Sequence, residues 1–345
     1  MYANKRIGEY ILEEQIGKGS FASVWRAKRF HTNETVAVKV VMKNDMNDFS
    51  YRIRLQREIS ILRKINHPNI VSLINLYEDN TNYYIVMEHM DMGNFLSYVN
   101  KNGPISEANA KKVFLQVISA LDYLHDEAHV VHRDIKCENV MLDHDGNVKL
   151  IDFGLSNTFI FESDLFETTC GSLAYSAPEM LKGRQYSKKA DIWSAGVFLY
   201  AIVAGYLPYD NDDPESLKDS IIERNILYPF HFSPELMDLF DQILNKNPEK
   251  RIGIQEIKKH QWLSGVNVKI HNVQSKKEFV PLQSLVTSPN SLNKTHINLA
   301  DLAKTGMNLT SHLLLAKPRN REIPANLIRT RKKISSLDMS FGSGP

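Results

Sequence analysis

Cysteine is nearly missing from this chain: 345 residues hold two, Cys137 and Cys170. They form neither a disulfide framework nor a paired zinc spacing, which excludes the small stapled scaffolds and suits a reducing compartment. Long apolar runs are missing as well, and none approaches the roughly 18 residues that a membrane-crossing helix needs. The opening MYANKRIGEY has no apolar segment, so no secretory leader is expected. No internal repeat is visible. A strong net charge is also lacking, at +2, but the balance is uneven: residues 264–345 carry +8 and residues 1–263 carry −6. The chain therefore changes character near His260–Trp262. What is present is a 43% hydrophobic content, ample for a sizeable core.

Patterning separates the first part into two regions. Strands are expected at Tyr10–Ile16, Phe21–Arg29, Thr35–Met42, Ile70–Tyr77 and Tyr83–Glu88. Each is short, rich in β-branched or aromatic residues, and bounded by turn formers. One helix, Ser50–Ile65, interrupts them, with Ile53, Ile59, Leu62 and Ile65 at helical spacing, and His67-Pro68-Asn69 stops it. After residue 93 helices dominate, at 106–126, 188–204, 214–223, 234–244 and 254–260. Between the first two lies an irregular stretch, 127–187. A strand-rich part followed by a helical part predicts an α+β, two-lobed architecture with a cleft. Past residue 264 Ser, Asn, Thr, Pro and Lys dominate, and a basic, mostly unordered tail is expected.

Five sequence features carry chemistry. Gly17-Lys18-Gly19-Ser20-Phe21-Ala22 lies between two expected strands, where glycines let a backbone approach phosphate oxygens. Alone it reads more readily as an ordinary hairpin turn, with Ala22 where a third glycine would stand. Lys39 follows on an alternating strand, Val36-Ala37-Val38-Lys39, and Glu58 lies on the next helix; each taken singly reads as a solvated charge. The strongest piece is His132-Arg133-Asp134-Ile135-Lys136-Cys137-Glu138-Asn139. Four named residues at that spacing, at roughly 5% background each, recur by chance at about one in 10⁵ start positions. Asp152-Phe153-Gly154 and Ala177-Pro178-Glu179 complete the ordered series.

On these motifs residues 10–263 resemble a eukaryotic protein-kinase catalytic domain, with a small lobe of about 10–88 and a large lobe of about 92–263. Thr168–Ser172, Asp191–Gly196 and the closing Lys258–Leu263 make it similar to the calmodulin-dependent-kinase-like group, within it AMP-activated protein kinase and related kinases. The tail 264–345 matches no family we recognise. The resemblance implies a non-specific serine/threonine protein kinase using ATP and Mg²⁺ on protein substrates. It assigns Asp134 to orient the substrate hydroxyl and accept its proton, Lys136 to neutralise the γ-phosphate, and Asn139 and Asp152 to bind metal. Lys39, held by Glu58, would anchor the α- and β-phosphates beneath Ile16, Gly17, Lys18 and Gly19. Val24, Ala37 and Leu142 would line the adenine, with Met87 behind it and backbone groups of Glu88 and Met90 at its edge.

Lys136 implies serine or threonine as acceptor, and Ser172 is expected to hydrogen-bond Asp134. Glu179 is expected to pair with Arg251, and Asp191 to hold the catalytic loop. Asn94 stands where basophilic relatives carry a glutamate, so a preference for Arg before the acceptor, through Glu138, is expected to be weakened. Thr168 occupies the activating position, with Arg133 as the natural partner of a phosphate there. The acids of Glu162–Glu167 suggest a separate activating kinase. An intracellular, cytoplasmic setting is expected, with no membrane span. No nucleic-acid partner is expected, because the basic cluster Arg329–Lys333 lacks interleaved aromatics. The alternative, an inactive pseudokinase scaffold, would normally lack Lys39, Asp134 or Asp152; all three are present.

Overall fold

The computed structural model describes residues 2–19, 22–43, 49–158, 172–266 and 280–285, and these fall into two compact units. The first holds the described residues up to Asp91 together with 280–285, and the second those from Met92 to 266.

The first unit opens with β1 (Arg6–Ile7), β2 (Tyr10–Lys18), β3 (Ala22–Arg29) and β4 (Thr35–Met42), continues through helix α1 (Phe49–Lys64), and returns in β5 (Leu73–Glu78) and β6 (Asn82–Glu88). All pairings among these strands are antiparallel. Strand β4 explains why the sheet forms: Val36, Val38 and Val40 are buried on one face, while Ala37 and Lys39 alternate onto the other and stay half-buried. The valine face packs into an apolar cluster with Tyr10, Leu12, Trp25, Tyr77 and Tyr84. Gly8 sits under that cluster with φ of 57°, and a Cβ there would come within 2.5 Å of the Tyr77 ring, so only glycine fits.

The second unit is helical. Its elements are α2 (Phe95–Asn102), α3 (Glu107–Asp122), β7 (Val130–Val131), β8 (Val140–Leu142), β9 (Val148–Leu150), β10 (Asn157–Thr158), α4 (Pro178–Leu181), α5 (Lys189–Ala204), α6 (Pro214–Glu223), α7 (Pro234–Ile243) and α8 (Ile254–Lys259). Asn94, Ser106, Asp213 and Ser233 cap α2, α3, α6 and α7 by accepting backbone amide hydrogens, and Pro214 and Pro234 start the last two. Helix α5 carries apolar residues on every face and each residue from Ala190 to Ala204 is buried, the polar Asp191 and Ser194 included. A Cβ on Gly196 would fall 2.3 Å from Ile243 Cγ2, so α5 and α7 cross with no room for a side chain. Glu107 accepts hydrogen bonds from the Ser233 amide and hydroxyl and from Trp262 Nε1, tying the start of α3 to the end of the unit.

The elements not anticipated include the short helix α4 and three others. β1 is two residues long, and α2 is a short capped helix in a polar stretch. The third is β11 (Leu282–Ser284), which pairs parallel to β5 and gives the order β1-β2-β3-β4-β6-β5-β11. It lies inside the stretch expected to be mostly unordered. The long helix expected through 126 instead ends at Asp122 and passes into a π turn, Tyr123–Glu127. No helix among the described residues is long and apolar enough to cross a membrane.

Glu179 and Arg251 form the expected pair, bidentate at 2.7 and 2.9 Å, with both side chains buried. Arg251 also donates to the Lys189 and Asn245 carbonyls, so its charge is fully answered. Arg251→Ala would leave a buried carboxylate alone and is expected to cost about 3–5 kcal/mol. Urea unfolding checks this.

Candidate active site

The site in the second unit is organised from below by Asp191, fully buried near the start of α5. Its Oδ2 accepts the His132 amide at 2.8 Å and its Oδ1 the Arg133 amide at 2.7 Å. His125 Nε2, carried on the π turn, approaches Oδ2 at 2.8 Å. Burial would raise the Asp191 carboxyl, but the hydrogen bond and charge of His125, with His132 nearby, outweigh it and hold the group below the ordinary carboxylate range. His125 escaped the sequence reading because a helical histidine carries no signal until the π turn aims it inward.

Arg133 adopts φ of 67° and Asp152 φ of 65°, left-handed backbone that non-glycine residues take only where surroundings enforce it. Asp191 supplies that enforcement at Arg133. His132 is fully buried and burial lowers its pKa, which favours neutral imidazole. Its Nδ1 accepts the Asp134 amide at 3.3 Å, so Nε2 carries the proton towards the Ile151 carbonyl at 3.2 Å. The Phe153 ring packs on it with centroids 4.9 Å apart.

Asp134, Lys136 and Asn139 come together as expected. Asp134 Oδ2 accepts from Lys136 Nζ at 2.7 Å and from Asn139 Nδ2 at 2.9 Å, and Asn139 also donates to the Asp134 carbonyl at 2.8 Å. One detail differs. Ser172 Oγ accepts from Lys136 Nζ at 3.1 Å and reaches Asp134 only through that lysine, because the ammonium is long enough to stand between them. The Asn139 carbonyl accepts the Ile151 amide, which brings the backbone leading to Asp152 alongside. Asp152 is exposed, with Oδ1 accepting the Gly154 amide at 3.2 Å. Leu142 is buried on β8.

In the first unit Lys39 Nζ donates to both oxygens of Glu58, at 2.6 and 2.8 Å, and Glu58 is buried. Cross-strand register sets Val24 opposite Lys39 and Ala37 opposite Met87. Glu88 Oε1 accepts the Ser72 amide at 2.6 Å, and Met90 is buried. Ile16 is exposed at the end of β2, next to Gly17, Lys18 and Gly19. Neither loop glycine has a positive φ, and among the described residues a Cβ on Gly17 or Gly19 would meet nothing closer than 3.4 Å. Their own fold does not demand glycine, unlike Gly8.

Two neighbours were expected to bear on recognition. Glu138 is half-buried, its Oε2 has no hydrogen-bond partner among the described residues, and burial raises its carboxyl pKa. Arg133 donates to the Leu155 carbonyl at 2.6 Å and the Tyr186 hydroxyl at 3.1 Å. Thr168, its expected phosphate source, lies outside the described residues.

The two residues expected to bind metal, Asn139 and the exposed Asp152, offer hard oxygens. Among the described residues no group of three or more His, Cys, Asp or Glu could close a site alone. That chemistry fits Mg²⁺, which takes one or two protein ligands and completes its shell with phosphate and water, and does not fit a zinc cage.

The family model for the protein kinase domain matches residues 10–263. The chain is 39% identical over 259 residues to "Serine/threonine-protein kinase SIK1" of Rattus norvegicus. That match covers 75% of this chain and 33% of the relative, so the chain spans about a third of the relative's length. With the ordered motifs and the geometry above, the chain belongs to the protein kinase family.

Proposed function

We propose that this chain transfers the γ-phosphoryl group of ATP to serine or threonine hydroxyls of proteins. The observation that carries this is the Asp134 carboxylate, whose Oδ2 is held by both Lys136 and Asn139 on a loop anchored by Asp191. Phosphoryl transfer has a loose, highly charged transition state, so positioning and charge neutralisation are what a protein must supply. With Oδ2 occupied, Oδ1 orients the acceptor hydroxyl. As the hydroxyl oxygen bonds to the γ-phosphorus and the bond to the bridging oxygen of ADP breaks, the hydroxyl proton passes to Asp134. A carboxylate suffices because the proton moves late.

Lys136 lies beside Asp134 and neutralises the transferred group. Lys39, pre-set by Glu58, holds the α- and β-phosphates under the Gly17–Gly19 turn. Val24, Ala37, Met87 and Leu142 take the adenine, with backbone groups of Glu88 and Met90 at its edge. Asn139 and Asp152 would hold Mg²⁺, which when bound supplies positive charge against the phosphate oxygens. The Lys136–Ser172 contact and the name of the rat relative support serine or threonine as acceptor. The unpartnered Glu138 oxygen supports a basic residue three positions before it, acting without a second acid because Asn94 caps α2 instead. The dependence on ATP and the paucity of cysteine support an intracellular, cytoplasmic setting. The acidic run before Thr168 suits neither Glu138 nor self-phosphorylation, and supports a separate activating kinase.

Asp134→Asn should leave the thermal midpoint unchanged and lower kcat by at least about 100-fold. Radiolabelled transfer to a peptide array reads this, and kcat above a tenth of the parent's would overturn the role.

Glu138→Gln should raise KM about tenfold for a peptide with Arg three residues before the serine, and leave an Ala-substituted peptide unaffected. A raised pKa means the carboxylate is lost at higher pH than usual. KM for the Arg peptide should therefore climb as pH falls, beginning above the ordinary glutamate range.

Purified chain incubated with ATP and Mg²⁺ should remain unphosphorylated at Thr168 by mass spectrometry. Rapid labelling there would remove the need for another kinase.

A further inference from the structure

Strand β5 has a partner on each side. One is β6, close in sequence; the other is β11, some two hundred residues later in the chain. The register is parallel, Leu282 with Leu76, Gln283 with Tyr77 and Ser284 with Glu78, and the Leu285 amide donates to the Glu78 carbonyl at 2.8 Å. Val280 is buried just before the strand. Leu285, just after it, packs against the apolar cluster of Tyr10, Trp25, Tyr77 and Tyr84. That cluster also contains Val36, Val38 and Val40, so Leu285 covers the face of the sheet opposite to Ala37 and Lys39.

We propose that residues 280–285 act as an intramolecular ligand of this sheet, a detachable strand that occupies the β5 edge and steadies the strands carrying Lys39. Three observations single out this occupant. First, an uncovered edge presents unpaired amides and carbonyls and invites pairing with other chains. Phe279–Val286 is an uncharged, mainly apolar stretch within a tail of net charge +8, the kind of segment that needs cover itself. Each half conceals the other's liability. Second, the new outer edge is short and polar: the strand is three residues long, and Gln283 and Ser284 are exposed. The addition therefore stops after one strand. Third, one cross-strand row runs Val24–Lys39–Ile85–Leu76–Leu282, which places Leu282 in line with the lysine three strands away.

The strand is detachable because its ladder is short and parallel, the weaker pairing, and because its middle residues bury little. It can open locally while the antiparallel core of the sheet persists. Any ligand of the sheet that prefers the closed ladder tightens the strand, and the strand tightens that ligand by the same factor. Where the ligand is ATP, this coupling rests on the proposed kinase function; occupancy of the edge does not.

The test uses the full chain and needs no phosphate transfer. Leu285→Asp puts a charge against the apolar cluster, and Gln283→Pro acts on backbone alone, since that side chain is exposed. In both, the β5 amides that point towards β11 should exchange roughly tenfold faster or more, with α5 and α7 amides unchanged. The thermal midpoint should fall by roughly 2–4 °C. Leu285→Ala should lie between parent and Asp variant, and Gln283→Ala should match the parent. A synthetic peptide of residues 278–288, added to Leu285→Asp, should restore slow exchange. Parent-like β5 exchange in both Leu285→Asp and Gln283→Pro would overturn the proposal. So would a parent that sediments as a dimer while the variants sediment as monomers, because the strand would then come from a second copy. A chain that fails to phosphorylate any peptide, yet shows the predicted exchange, would refute the kinase function and leave this inference standing.

Discussion

The buried carboxylate of Asp191 is the constraint on which the catalytic loop rests. A charge with no exposure is tolerable only when its oxygens are answered, and here two backbone amides and an imidazole answer them. Those amides belong to His132 and Arg133, so the carboxylate dictates the backbone immediately before Asp134. It also stabilises the left-handed conformation of Arg133, which the chain would otherwise abandon. Helix α5 can supply this anchor because it is buried on every side and cannot shift without opening the core.

Two more ion pairs follow the same economy. Lys39–Glu58 and Glu179–Arg251 each bring a buried acid against a base with bidentate or near-bidentate contacts. Their burial makes them sensitive to the loss of either partner, and their direction sets geometry more than net stability. The first orients an ammonium on the half-exposed face of β4. The second ties α4 to the loop before α8. Glu138 is the contrast: it is half-buried, one oxygen has no hydrogen-bond partner among the described residues, and burial raises its carboxyl pKa. An acid in that state is suited to a basic group.

The sheet of the first unit has two working faces. One carries Ala37 and Lys39; the other is an aromatic and aliphatic cluster that needs cover. That cover comes from Ile74 of β5, from Tyr2 near the start of the sequence, and from Leu285, some two hundred residues after β5. Sequence-distant segments thus converge on one apolar surface, because burying it is the favourable term that offsets ordering them.

Much of this was legible in the sequence. Strands β2, β3, β4 and β6, helix α1 and helices α5 to α8 follow from periodicity and turn residues, which act over a few neighbours. The grouping of Asp134, Lys136 and Asn139 was legible because they lie within six residues on one loop. The Lys39–Glu58 pair was anticipated from the placement of the lysine on a strand and the glutamate on the next helix, and the Glu179–Arg251 pair through resemblance, since nothing local predicts a contact across 72 residues. What only the tertiary structure decided was the aim of His125, the bridging of Ser172 to Asp134 by Lys136, and the docking of β11. Each depends on a long-range partner: a π turn facing α5, an ammonium reaching a distant hydroxyl, and an open strand edge. A three-residue strand beside a proline has no periodicity to read, and its order is lent to it by the sheet it joins.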